Sequence, residues 1–197
     1  MPKISEERKA ERREHILAAA RGCFAEYGYE GATVVRLERA TGLSRGAIFN
    51  YFGSKDDLFL ELAWRDDERF IRLWLAKGWE AAIREIAAED PDWLGVYLEL
   101  TRRIRNDPVF RRDHEKRGDP KRAEELIAHV AAEQEQGLLR DDRPAEQVAG
   151  FISLAANGMV VQMAAGQPIR DLDALIEFVR TAVTSSGRAR RPSRTRA

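Results

Sequence analysis

Apolar residues recur three and four positions apart through almost the whole chain, and no β-branched run alternates with polar residues. Such a chain can bury its apolar faces only as helices, so the expected fold is all-α. One side of the first helix carries Ile16, Leu17, Ala20, Phe24 and Tyr27, and Gly28 ends it, because glycine tolerates the positive φ of a helix terminus. Short helices follow. Thr33 caps one that runs to about Thr41, Gly42 permits a tight turn, and Ser44 caps another that ends near Tyr51. Gly53 and Ser54 then precede a long helix from Lys55. Further helices are expected over 55–77, 79–88, 92–106, 120–136, 144–165 and 171–184, with Pro91, Pro108, Pro120, Pro144 and Pro168 at or near boundaries, where a missing N–H is tolerated.

A length of 197 residues suits one small and one medium unit, and 44% hydrophobic with 34% charged residues supports a real core under a soluble surface. The expected division is a head over 1–54, a larger helical domain over 55–185 and a tail over 186–197. The tail has no apolar residue larger than alanine, so it is expected to be disordered. No apolar run approaches the roughly 20 residues of a membrane span, and no apolar leader follows the charged N-terminus, which predicts a cytoplasmic protein without a membrane partner.

Catalytic chemistry finds no footing. His15, His114 and His129 sit on different helices without metal spacing, Cys23 has no second thiol, and no nucleophile motif or phosphate-cradling loop is present. No enzyme activity, metal or cofactor is expected. The zero net charge hides a partition: residues 1–55 hold ten Lys/Arg against seven Asp/Glu, residues 56–187 hold 18 against 26, and the last ten residues hold five Arg and no acid. A basic head on an acidic body suits a module that displaces counterions from phosphates.

The segment Thr33 to Tyr51 has the geometry of a helix-turn-helix, which sets its second helix in a DNA major groove. Val34, Leu37 and Ala40 are expected to face a small core, with Leu43, Ala47 and Ile48 closing the turn. Arg45, Gly46, Phe49 and Asn50 then face outward. Ser44 caps a helix whose first N–H groups can approach a phosphate, and Arg45 and Asn50 carry donor forks suited to guanine and adenine edges.

The stretch CFAEYGYEGATVVRLERATGLSRGAIFNYFGSKDDLFLEL resembles the signature of the TetR family of transcriptional repressors along its whole length. The likeness lies in the F-x-x-x-G-[YF] end of the first helix, Thr33, the A-x-G-[LV]-[ST] turn over Ala40 to Ser44, Tyr51-Phe52, and Ser54-Lys55-x-x-Leu58. It covers about the first 60 residues. The resemblance implies a homodimer with three N-terminal helices for an operator in double-stranded DNA, and a divergent helical domain that binds a small-molecule effector. The DNA-contacting set it implies is Thr33, Arg36, Ser44, Arg45, Gly46, Phe49, Asn50, Tyr51 and Lys55. One departure stands out: the family usually carries a tyrosine where this chain has Phe49, and Tyr51 and Asn50 are left to supply the missing phosphate contact. The head, together with LELTRRIRNDPVFR from Leu98 to Arg111, is also similar to the aconitase repressors of actinobacteria, which implies a tricarboxylate effector.

In the larger domain, Trp93, Tyr97, Leu100 and Ile104 form one stripe, and Trp74 shares its character of core or pocket. Arg103 and Arg105 at the stripe's edges, with His129, are candidates to neutralise an anionic ligand, and Asn157 is a candidate polar contact. The helix from Ala145 to Ala165 is apolar nearly all round, so it must be covered on two sides. Its Ala155, Gly158 and Val161, with Phe178 on the next helix, are the candidate dimer interface.

Overall fold

The computed structural model describes residues 5–117 and 120–184; the basic tail and the side chain of Tyr97 lie outside the described residues. Ten helices and no strand form among them: α1 Glu6–Gly31, α2 Val34–Thr41, α3 Arg45–Phe52, α4 Lys55–Lys77, α5 Trp79–Ala87, α6 Pro91–Asn106, α7 Pro108–Arg117, α8 Pro120–Glu135, α9 Ala145–Ala164 and α10 Leu172–Val183. The starts are set locally. Ser5, Thr33, Ser44, Ser54, Asp90 and Asp171 each accept a hydrogen bond from a first-turn N–H, which satisfies a donor that has no partner within the helix.

Four features depart from the sequence expectation. Helix α7 is additional: its segment PVFRRDHEKR has only two apolar side chains and so no repeat to detect, yet the Asp107 carboxylate accepts from the N–H groups of both Val109 and Phe110 at 3.0 Å. In α1 the backbone breaks at Gly28, φ 68° and ψ 174°, and the turn sends Tyr29 rather than Tyr27 into the core. Ala40 is exposed and Thr41 is buried instead, with its hydroxyl satisfied by donating to the Leu37 carbonyl at 2.8 Å. Finally, α9 is long and apolar enough by length and composition to cross a membrane. In the fold its apolar sides are divided between a core, a cavity and the surface.

Two cores share the chain. The first joins Ile16, Leu17, Ala20 and Phe24 of α1, Leu37 of α2, Ile48 of α3 and Leu58 to Ala63 of α4 with Trp93, Val96 and Leu100 of α6 and Phe110 of α7. The second joins Trp74, Trp79, Ile83, Leu126, Val130, Ile152, Met159, Ile176 and Val179 from α4, α5, α8, α9 and α10. They divide within α4, so the head's core extends beyond the first three helices and includes α6. Bidentate pairing of Arg180 with Glu80, at 2.6 and 2.7 Å, ties α10 to α5 at the rim of the second core.

Gly28 is the sharpest local requirement. Its backbone lies where side-chain-bearing residues are strained, and an added Cβ meets Glu99 Oε1 at 2.9 Å. Gly28→Ala is expected to destabilise the protein by about 1–3 kcal/mol, read as a lower urea midpoint with an unchanged slope.

Candidate nucleic-acid interface and internal cavity

The second helix of the helix-turn-helix is α3. Gly42 closes α2 in the left-handed region, φ 68°, and the turn is held by His15, whose Nε2 lies 2.8 Å from the Thr41 carbonyl oxygen. Ser44 Oγ accepts from the Ala47 N–H at 3.3 Å, and Glu38 Oε1 accepts from the Arg45 N–H at 2.6 Å. Glu38 was not in the expected set; its carboxylate fixes α3 against α2 from seven residues away. Arg45, Gly46 and Asn50 are exposed, and nothing lies within 4 Å of a Cβ built on Gly46, so this face is open to close approach.

The remaining expected contacts divide. Thr33 is exposed and caps α2. Arg36 is exposed but lies 4.0 Å over the Tyr27 ring and donates to the Gly31 carbonyl at 2.7 Å, so its guanidinium also braces the end of α1. Phe49 does not face fully outward: it and Tyr51 are half-buried against the first core. The Lys55 ammonium donates to the Tyr29 carbonyl at 2.8 Å and lies 4.2 Å over its ring, leaving two of its three donors for other acceptors.

Two ion-pair clusters fasten this head to α6. In the first, Arg103 donates to both oxygens of Asp56 at 2.8 and 3.1 Å while stacking over Tyr29 at 4.4 Å and Phe110 at 4.2 Å. The Tyr29 hydroxyl donates to the same Asp56, and the Tyr29 N–H donates to Glu99 at 2.7 Å. In the second, Arg21 of α1 pairs with Asp66 of α4 and with Glu89, both at 3.0 Å, and lies 4.2 Å over the Trp93 ring. Trp93 donates its indole N–H to Asp66, and Arg69 pairs with Glu89 at 2.6 Å.

A cavity of about 430 Å³ lies between α4, α5, α6, α8 and α9. Its walls are mostly apolar, with Phe70, Leu73, Ile86, Trp93, Leu94, Leu126, Ile127 and Val160 among them; its charged groups are Asp66, Arg69, Glu89 and Glu146. Of the expected ligand contacts, Trp93 and Asn157 line it. Trp74 is fully buried in the second core beside the cavity rather than on its wall. Arg103 and Arg105 are not on the wall either: Asp56 and the aromatic pair draw Arg103 to the head, and Arg105 is exposed. His129 stays beside Glu133, 3.7 Å away and one turn along α8. The sequence reading missed Arg69, the one cation on the wall among the described residues, and Arg21 behind it. No group of metal-binding side chains occurs among the described residues.

The surface side of α9 carries Phe151, Leu154, Gly158 and Val161 at spacings of three and four, with Phe178 of α10 also exposed; Leu154 and Phe178 are 71% and 73% accessible. Ala155 is half-buried toward the second core.

The sequence pattern of the family described as bacterial regulatory proteins, tetR family, matches residues 16–62. The chain is 41% identical over 192 residues to the HTH-type transcriptional repressor Rv1474c of Mycobacterium tuberculosis, covering 94% of this chain and all of that one. It is 40% identical over 190 residues to the HTH-type transcriptional repressor AcnR of Corynebacterium jeikeium, covering 95% of this chain and all of that one. In fold it is similar to Salmonella enterica GusR, with a TM-score of 0.68 over 92% of this chain and 96% of that one at 20% identity.

The first ion-pair cluster makes stability depend on acid. Hydrogen bonds from Arg103, then from Tyr29, hold the Asp56 carboxyl below the usual aspartate range against the burial that raises it. A group with a depressed folded pKa stabilises the fold above its unfolded value and loses that contribution as pH falls through the folded value. Asp56→Asn is therefore expected to flatten the fall of stability below about pH 4. Urea midpoints of wild type and variant across that range check it; parallel profiles would place the acid sensitivity elsewhere.

Proposed function

This chain belongs to the TetR family of bacterial regulatory proteins and is a DNA-binding transcriptional repressor rather than an enzyme; on that premise we propose that it acts as a homodimer that holds a near-palindromic operator and responds to a small molecule in its cavity. The observation that carries the reading is the braced, exposed face of α3. Arg45 and Asn50 stand on it with donor forks for base edges, and Gly46 between them lets the helix approach the groove closely. Such a regulator works where the chromosome is, in the cytoplasm.

Dimerisation is supported by the apolar stripe of α9 and Phe178 of α10, since a contiguous exposed apolar patch marks a contact surface. A two-fold partner presenting the same helices buries it as a four-helix interface. The cavity has the size of a small-molecule site, and the likeness to aconitase repressors makes a tricarboxylate the effector to test first. A second reading rests on the wall itself. Three carboxylates against Arg69 favour a ligand with a positive group, so titration of the protein–operator complex with tricarboxylates, with and without Mg²⁺, belongs beside hydrophobic cations.

Two outcomes follow for DNA and assembly. Arg45→Ala should weaken binding to operators selected from random fragments by about 1–3 kcal/mol at a single base pair, and relax preference there; equal loss on random DNA would remove Arg45 from base reading. Gly158 has open space around it, so Gly158→Arg leaves the subunit's own packing intact. That variant should sediment as a monomer and bind the operator poorly, because the second half-site no longer adds its free energy.

A further inference from the structure

The cavity and the head meet at one cluster. Asp66, Arg69, Glu89 and Trp93 all line the cavity, and all but Arg69 also touch Arg21, which belongs to the first helix of the head. Arg21 stands behind this wall rather than on it. Its guanidinium bridges Asp66 in the middle of α4 and Glu89 just beyond α5, and its flat face covers the Trp93 indole of α6. Trp93 in turn donates to Asp66, so the carboxylate that faces the cavity is bound by a head residue and a wall residue together. Asp66 and Glu89 are about four-fifths shielded from solvent, so a carboxylate that loses Arg21 gives up a charged partner where little water replaces it, and a ligand group that takes its place gains correspondingly. The other cluster, around Arg103, Asp56 and Tyr29, lies off the cavity wall. It is a fixed attachment, whereas the Arg21 cluster is the one whose partners a ligand can reach.

We propose that Arg21 is the positioning residue through which the cavity sets the DNA-binding head: a ligand that brings a positive group to the polar end of the cavity, the second of the two ligand readings above, competes with Arg21 for Asp66 and Glu89, and the hold of α1 on α4 and on the Trp93 ring is loosened when it wins. The inference rests on the reading of the chain as a ligand-responsive repressor. Allosteric coupling requires that the ligand interact differently with two arrangements of the protein, and a guanidinium that is either held by the wall or released from it supplies those arrangements. Because Arg103 keeps α6 attached to α4 and Tyr29, release at Arg21 lets the head turn about that attachment rather than detach.

The test is a double-mutant cycle on full-length protein, with operator affinity and melting temperature measured together. Operators are first selected from random fragments by the wild type. Neutralising Asp66 does to the network what a competing ligand does, so Asp66→Asn is expected to change operator affinity about fivefold or more. The change should largely vanish in an Arg21→Gln background and be partly restored by Arg21→Lys. Arg103→Gln is the control: it shares no partner with Asp66, so its effect on affinity should multiply independently with that of Asp66→Asn. Glu89→Gln serves in the same cycle if Asp66→Asn does not fold. Operator affinity unchanged while the melting temperature falls, or independent effects of Arg21 and Asp66, would reduce Arg21 to a structural brace and overturn the proposal. Failure of the wild type to select any operator would instead strike the repressor reading on which the proposal stands.

Discussion

Helix α6 is held in two places at once. Trp93, Val96 and Leu100 pack it along α1 in the head's core, while Leu94 and the face of Trp93 border the cavity. At its far end Arg103, sandwiched between Tyr29 and Phe110, pairs with Asp56 at the start of α4. A guanidinium between two rings with both forks on one carboxylate is ordered by geometry as well as charge. The head therefore does not hang from a flexible linker. Its orientation is set by how α6 sits, and α6 sits according to what surrounds it.

The division of the chain into cores follows from this. A three-helix head of some 50 residues has little interior of its own, and small domains bury too small a share of their surface to be robust. Here the head borrows Trp93, Val96, Leu100 and Phe110 from the following helices. The ion pairs concentrate along the same seam, where Arg65 with Glu14 and Arg13 with Glu61 join α1 to α4. These pairs are half-buried except at Glu14, and together they join two long helices at two points.

What the sequence revealed and what it hid separate along physical lines. The caps Thr33, Ser44 and Ser54 and the turn at Gly42 were legible because each is a bargain struck within four residues. The outward face of α9 was legible only in part: Gly158 and Val161 lie on it, but Ala155 turns toward the second core, and Phe151 and Leu154 hold places on it that helical period alone did not assign, because a helix apolar nearly all round has no polar side to fix its phase. Arg103 was misplaced because a position at the edge of a stripe says which way a side chain leaves the helix, not which neighbour receives it. Arg21 and Asp66 meet across 45 residues of chain, and nothing local in either foretells the other. Tyr29 displaced Tyr27 from the core because one backbone angle at Gly28 reset the helical phase. Helix α7 escaped because Asp107 and Pro108 start it well while its apolar content is too sparse to form a repeat.

Helix α9 divides its circumference among three tasks: Val148, Ile152 and Met159 face the core, Ala149, Ser153, Ala156 and Val160 face the cavity, and Phe151, Leu154 and Val161 face outward. Neighbouring residues thus answer to different demands. If the outward face makes the dimer and the cavity holds the effector, as proposed, then in a lineage that duplicates such a gene the cavity face can drift toward a new ligand while the outward face is left alone, and the copies would still pair with one another. Mixed dimers, each carrying two different sensors above two different heads, would persist until the outward face also changed. Insulation between paralogues is a separate evolutionary event from change of ligand, and it is written on a different third of the same helix.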